Sequence, residues 1–231
     1  MKKLLEMLDL SKGCFDGNGI FETNQVYRDQ VGASRECWKK IYNYDLDHLK
    51  NDREDFNASK LEDHKYYIDK PYNFDKETVY LEIGCGPSHI GDYLLNKFGL
   101  YFVGIDFNYR LLLTLKEYFN RKGYTNYLLI HGDIQNIPLK PNTVDYVYGG
   151  GVIEHVSDTN HVLTEIYKVL KKGGISFNTV PAFNIMWLLQ FYSVIPSLPD
   201  LKRKFEYIHL KILKNRILRL HSGYTLSFTK N

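Results

Sequence analysis

The segment Thr78–Asp106, TVYLEIGCGPSHIGDYLLNKFGLYFVGID, constrains the fold of this 231-residue chain more than any other stretch. It opens on Thr78-Val79-Tyr80-Leu81-Glu82-Ile83, a β-branched and aromatic run that reads as a buried strand. Gly84-Cys85-Gly86 follows at once, and Pro87-Ser88 then begins a segment with Ile90, Tyr93, Leu94 and Phe98 at helical spacing. Ser88 is expected to cap that helix and Gly99 to stop it. Tyr101–Ile105 is a second strand, which delivers Asp106 at its carboxyl end. Strand, glycine turn, helix, strand and acid together describe a βαβ unit that binds a nucleoside. Glycines admit a ligand close to the backbone, the helix N-terminus presents unpaired N–H groups, and an acid about twenty residues on can hold a ribose diol.

A dinucleotide fingerprint would place a third glycine where this chain has His89. Instead Glu82 stands two residues before the first glycine, and a carboxylate there suits a ligand carrying a cation rather than a pyrophosphate. S-adenosylmethionine has that chemistry, with adenosine at one end, a sulfonium in the middle and an amino acid at the other. Leu81-Glu82-Ile83-Gly84-Cys85-Gly86 resembles the first motif of the class I S-adenosylmethionine-dependent methyltransferases, and Gly104-Ile105-Asp106 resembles their ribose-binding acid.

From Thr78 onward strands and helices alternate. Tyr109–Lys122 reads as a helix stopped by Gly123, Tyr127–Ile130 as a third strand and Val144–Tyr148 as a fourth. Asp158–Lys171 is a helix, Gly173-Gly174 ends it, and Ile175–Val180 is a fifth strand. Such alternation predicts an α/β fold with a doubly wound parallel sheet. The resemblance implies a Rossmann-like methyltransferase core over residues 77–181 with strand order 3-2-1-4-5. Residues 1–76 are expected to form a helical N-terminal cap without a strand of its own: Asp16-Gly17-Asn18-Gly19 is a loop, Ser34–Leu49 a helix carrying Trp38 and Tyr42, and Leu61–Ile68 a weaker one. Residues 182–231 are expected to be a hydrophobic and basic lid. Phe183–Leu198 is aromatic and aliphatic, and Lys202–Arg219 has seven basic residues against Glu206 alone.

The resemblance runs from Thr78 to Pro181 and assigns roles by position. It implies that Glu82 and the Gly84-Cys85-Gly86 turn hold the amino-acid end of the cofactor, Asp106 the ribose, and Asp133 with Ile134 the adenine, with Phe107 also among the cofactor-binding residues. Gly150, in the loop after the fourth strand, would line the methionine side. In some relatives, the small-RNA and quinone-precursor O-methyltransferases, a Glu-x-x-Glu-His pattern at this loop binds a divalent cation. This chain keeps Glu154 and His155 but has Gly151 where the first Glu would stand, too few oxygen ligands for a hard cation. No metal is therefore expected. His155, with Glu154, is the candidate general base, and a histidine packed on the next helix is the competing reading. Cys85 has no base beside it and reads as a small residue filling the turn. Lys172 replaces the proline usual before Gly173-Gly174 in the family.

These features imply methyl transfer to an O or N atom of a small acceptor, a hydrophobic one if the lid closes over it. The alternative is an adenosyl-binding accessory protein without transfer activity. A nicotinamide-dependent reductase is excluded, because Tyr167-x-x-x-Lys171 lies on a helix with no catalytic Ser in place. Net charge is only +3, so no specific nucleic acid is expected. The basic stretch within 183–220 gives a possible peripheral contact with an anionic membrane surface. Cys14, Cys37 and Cys85 lack paired spacing and point to a cytoplasmic protein. The family's sheet usually continues past the fifth strand, and Leu226-Ser227-Phe228-Thr229 resembles the entry to its next helix.

Overall fold

The computed structural model describes residues 2–24, 72–181 and 223–230. In chain order these form helix α1 (Lys2–Met7), strands β1 (Gly13–Phe15), β2 (Phe21–Thr23) and β3 (Val79–Ile83), helix α2 (His89–Phe98) and strand β4 (Tyr101–Asp106). Helix α3 (Tyr109–Arg121), strands β5 (Tyr127–His131) and β6 (Val144–Gly150), helix α4 (Thr159–Val169), and strands β7 (Leu170–Pro181) and β8 (Gly223–Thr229) follow. The eight strands lie in the order β1-β2-β5-β4-β3-β6-β7-β8. Its central five, β5-β4-β3-β6-β7, are the five strands expected from sequence in the expected 3-2-1-4-5 order. Two compact units divide the chain, residues 1–178 with 227–231 and residues 179–226, and strands β1 to β6 belong to the first.

Central position explains the composition of β3. It pairs in parallel with β4 on one side and β6 on the other, and all five of its residues are buried. A strand covered on both faces reads as a near-continuous apolar run rather than alternating, and Glu82 is the one charged residue in β3. On one face Tyr80, Phe102, Phe119 and Tyr146 are fully buried. Phe102 and Phe119 meet edge to face at 5.5 Å, and Tyr80 stacks on Tyr146 at 6.0 Å. Each such side chain contributes about 1.5–3 kcal/mol on leaving water. Gly91 sets how closely α2 approaches this layer, since a Cβ there would lie 2.3 Å from the Phe102 ring.

Helix ends follow the sequence with two exceptions, Ser88 and Gly173-Gly174, the latter lying inside β7 because α4 already stops at Val169. Gly99 adopts φ 61° and its N–H closes α2 on the Leu95 carbonyl. Asn108 caps α3 by accepting from Leu111 N, and Asp158 caps α4 by accepting from His161 N at 2.9 Å. Ser88 makes no such cap. Its residue is left-handed (φ 51°), and its hydroxyl donates to Glu82 at 2.8 Å instead.

The N-terminal region departs from the strand-free cap read from sequence. Asp16-Gly17-Asn18-Gly19 is the turn of an antiparallel hairpin, β1–β2, and β2 adds to the sheet edge in parallel with β5. Strands of three residues are too short to show alternation, so the pattern could not announce them. The expected helices at 34–49 and 61–68, and the lid segments at 183–198 and 202–219, lie outside the described residues. At the far edge, 226–229 belongs to strand β8 rather than a helix entry. Lys230 next to it exchanges backbone hydrogen bonds with Gly173 and Gly174 of β7 at 2.7 and 3.0 Å, so this edge is paired rather than bare. Strand β7 also starts at Leu170, five residues before the expected strand.

Candidate functional site

Loops at the carboxyl ends of β3, β4, β5 and β6 line one cleft that opens to solvent, with about 550 Å³ of space including its mouth. Gly84 comes from the first loop, Asp106 and Phe107 from the second, and Gly132, Asp133 and Ile134 from the third. The fourth supplies Gly151, Val152, His155 and Val156. Parallel strands sharing one direction must send these loops to the same rim, which is where open α/β sheets bind ligands.

Asp106 is the fixed point of the cleft. It is 1% exposed, and its carboxylate accepts from the backbone N–H of Gly86 at 2.9 Å and of Asn108 at 2.8 Å. One acid thereby ties the glycine turn after β3 to the start of α3. Burial pushes it up to about 6, against the pull of those two N–H groups. Gly84 stands opposite, with φ +57°, and a Cβ on it would lie 2.7 Å from the Val152 side chain. The turn is therefore glycine for two reasons, its backbone conformation and the closeness of the facing wall.

The third loop is held from behind. Asp133 accepts from Gln135 N at 2.9 Å, which shapes the 3-10 turn Ile134–Asn136. His161 of α4 meets the Gln135 carbonyl at 2.8 Å, and Glu165 accepts from Ile137 N at 3.1 Å. Lys12, from the N-terminal region, donates to the Ile137 carbonyl at 3.1 Å and pairs with Glu165 at 3.4 Å. Ile134 thus presents apolar surface from a braced backbone.

Several expected residues take other places. Glu82 does not line the cleft; it is 6% exposed, and burial, opposed by the Ser88 hydroxyl, raises its carboxyl to about 8. Cys85 is buried beneath the turn against Gly104, and burial raises its thiol well above the ordinary value, which suits a filler and not a nucleophile. Gly86 contributes its N–H to Asp106 rather than lining the cleft. Gly150 ends β6 pointing outward beside the Tyr148 hydroxyl, and the wall there is made by Gly151 and Val152. Gly151 turns the chain at φ +67° and so hands the position on by one residue. Glu154 also lies off the lining; both its carboxylate oxygens are buried without a hydrogen-bond partner, and burial raises its carboxyl. Its Oε1 lies 3.9 Å from His155 Nε2, and His155 does face the cleft. The sequence reading missed Gly132, Gly151, Val152 and Val156 as lining residues; three adjoin expected ones and Val152 follows Gly151, so loop contiguity was the available signal.

Residues 81–177 match a family model described as a methyltransferase domain. A demethylmenaquinone methyltransferase of Staphylococcus haemolyticus is 31% identical over 164 residues, covering 65% of this chain and 68% of that protein. One of Staphylococcus aureus is 32% identical over 164 residues, covering 65% and 67%. The chain belongs to the class I S-adenosylmethionine-dependent methyltransferases. A solved structure from Methanococcus maripaludis, described as an S-adenosyl-L-methionine-dependent methyltransferase, covers 84% of this chain and 93% of its own at TM-score 0.58. Its identity is 18%, so it speaks for the fold.

The methyltransferase is thus an enzyme whose cofactor is S-adenosylmethionine. The cleft fits that cofactor on its own evidence. It offers a buried carboxylate for hydroxyl donors, apolar faces at Phe107 and Ile134 for a ring, and a side-chain-free turn at Gly84. Among the described residues no helix is long and apolar enough to cross a membrane.

Proposed function

We propose that this methyltransferase holds its cofactor between Asp106 and the loop Asp133-Ile134 and methylates an O or N atom of a small hydrophobic acceptor. Convergence of four consecutive strand-end loops on one cleft carries this reading. Asp106 accepts from the ribose hydroxyls, Phe107 and Ile134 flank the adenine, and Asp133 accepts from its amino group. The backbone of Gly84–Gly86 receives the amino-acid end, with Glu82 behind it as a charge reserve rather than a direct contact. Gly151, Val152 and Val156 close the methionine side.

S-adenosylmethionine supplies a methyl group already activated on a sulfonium. The chain's work is then alignment and exclusion of water. Val152 and Val156 make that wall apolar, and His155 stands on it as the one titratable nitrogen among the cleft-lining residues. His155 accepts a proton from an acceptor hydroxyl or amine, and Glu154 behind it at 3.9 Å stabilises the imidazolium that results. The two relatives named for demethylmenaquinone support a hydrophobic acceptor for this chain as well. Contact of the basic stretch within 183–220 with an anionic membrane surface would bring enzyme to such an acceptor. A cytoplasmic setting agrees with Cys14 and Cys85, both free thiols.

Transfer of labelled methyl from S-adenosylmethionine to a lipid extract and to an aqueous metabolite extract tests the reading. Product in the lipid fraction, greatly reduced by His155→Ala, is the expected result. Tight cofactor binding without transfer to either fraction would favour the accessory alternative.

A further inference from the structure

The N-terminal hairpin does more than extend the sheet. Register places Glu22 of β2 beside His131 of β5, and His131 beside Asp106 of β4, so three charged or titratable residues stand in one lateral row. His131 Nδ1 lies 3.1 Å from Glu22 Oε1, and its Nε2 lies 3.2 Å from the Phe107 carbonyl. Both partners are acceptors. A neutral imidazole carries one N–H and can satisfy only one of them; the doubly protonated ring satisfies both. The ring is also fixed edge to face against Tyr109 of α3 at 5.2 Å, and Asp16 of the β1–β2 turn accepts from the Tyr109 hydroxyl. Glu22, Asp106, Tyr109 and Asp16 are the titratable groups around it. Lys116 lies at the outer end of the turn, on the Asn18 carbonyl.

We propose that His131 is a positioning residue of the cofactor site, bridging Glu22 and the Phe107 carbonyl, two acceptors that leave room for a proton on each ring nitrogen and so for positive charge beside Asp106. The same hydrogen bond pins Phe107, which lines the cleft, between Asp106 and the cap Asn108. Burial raises the Asp106 carboxyl, and the charge of His131 is among the influences that lower it. A second link runs in parallel: Thr23 packs so closely on Gly132 of the cleft that a Cβ there would meet its hydroxyl oxygen at 2.6 Å. Residues 13–23 precede the stretch that matches the family model.

The inference rests on Asp106 as the ribose acceptor, and the test separates the two. Affinity for S-adenosylmethionine is measured by calorimetry on the full chain at about pH 6.5 and about pH 8.5, for wild type, Glu22→Gln and His131→Gln. Glu22 is half exposed at its side chain, so its substitution leaves the fold intact. Loss of that positive charge moves the Asp106 titration upward, so affinity should fall roughly threefold at the lower pH and stay unchanged at the higher. Equal losses at both pH values, which mere loss of structure would give, overturn the proposal, as does no loss in either variant. Absence of binding by the wild type at both pH values sinks the cofactor reading instead.

Discussion

Asparagine at position 106 separates what the buried acid does for the fold from what it does for the ligand. Burial raises the Asp106 carboxyl from 3.8 to about 6. The folded protein therefore binds the proton more tightly than the unfolded chain, and ionisation costs stability. That cost is absent below pH 3.8, grows as pH rises toward 6 and is complete above it. About two units correspond to ~3 kcal/mol at neutral pH. Asparagine removes the charge and this cost. It also leaves one of the two backbone donors, Gly86 N or Asn108 N, facing an amide NH₂, at about 1–3 kcal/mol. The two changes offset, so Asp106→Asn should unfold near the wild-type temperature at neutral pH. Affinity should behave differently. Loss of a charge-assisted acceptor for the ribose diol removes about 1.5–3 kcal/mol, which weakens binding by roughly ten- to a hundredfold. Calorimetric titration with S-adenosylmethionine, beside thermal unfolding of the same samples, reads both. Wild-type affinity in the variant would refute the ribose assignment, and a collapse in stability would refute the burial argument.

Glu82, raised to about 8, is largely protonated near neutral pH, and a cationic ligand at the turn favours its ionised form; binding should release a fraction of a proton. Binding heats that do not vary between buffers of different ionisation enthalpy, or that vary equally in Glu82→Gln, would contradict this. Gly84→Ala forces a side chain into a left-handed residue and against Val152, so cofactor affinity should fall at least tenfold by calorimetry. Gly91→Ala drives a methyl into the fully buried Phe102 ring and should lower stability by about 1–3 kcal/mol in chemical denaturation. An unchanged midpoint would mean that α2 is free to move away from β4.

Legibility followed range. Strand β3, the glycine turn and Asp106 were readable because a buried strand, a left-handed turn and a strand-end acid each leave a local residue pattern. Asp106, Asp133 and Ile134 fall on the cleft as expected, since parallel topology sends every strand's carboxyl end to one rim. Gly150 and Glu154 were placed by motif position, and a single left-handed residue, Gly151, moved the lining onward. Ser88 looked like a cap, but nothing local could say that a buried Glu82 six residues earlier would take its hydroxyl.

The amino-acid sequence by itself determined the alternation of strands and helices from Thr78 onward and the chemistry of the strand ends, because hydrophobic period and turn residues act over a few positions. Tertiary structure alone decided that residues 13–23 join the sheet edge and that Glu22 meets His131 across 109 positions of chain. It also decided which carboxyls are pushed upward, since burial and charge neighbours depend on what the whole fold brings near them. Pairing between distant strands is set by the energy of the assembled sheet, and no short window of residues records it.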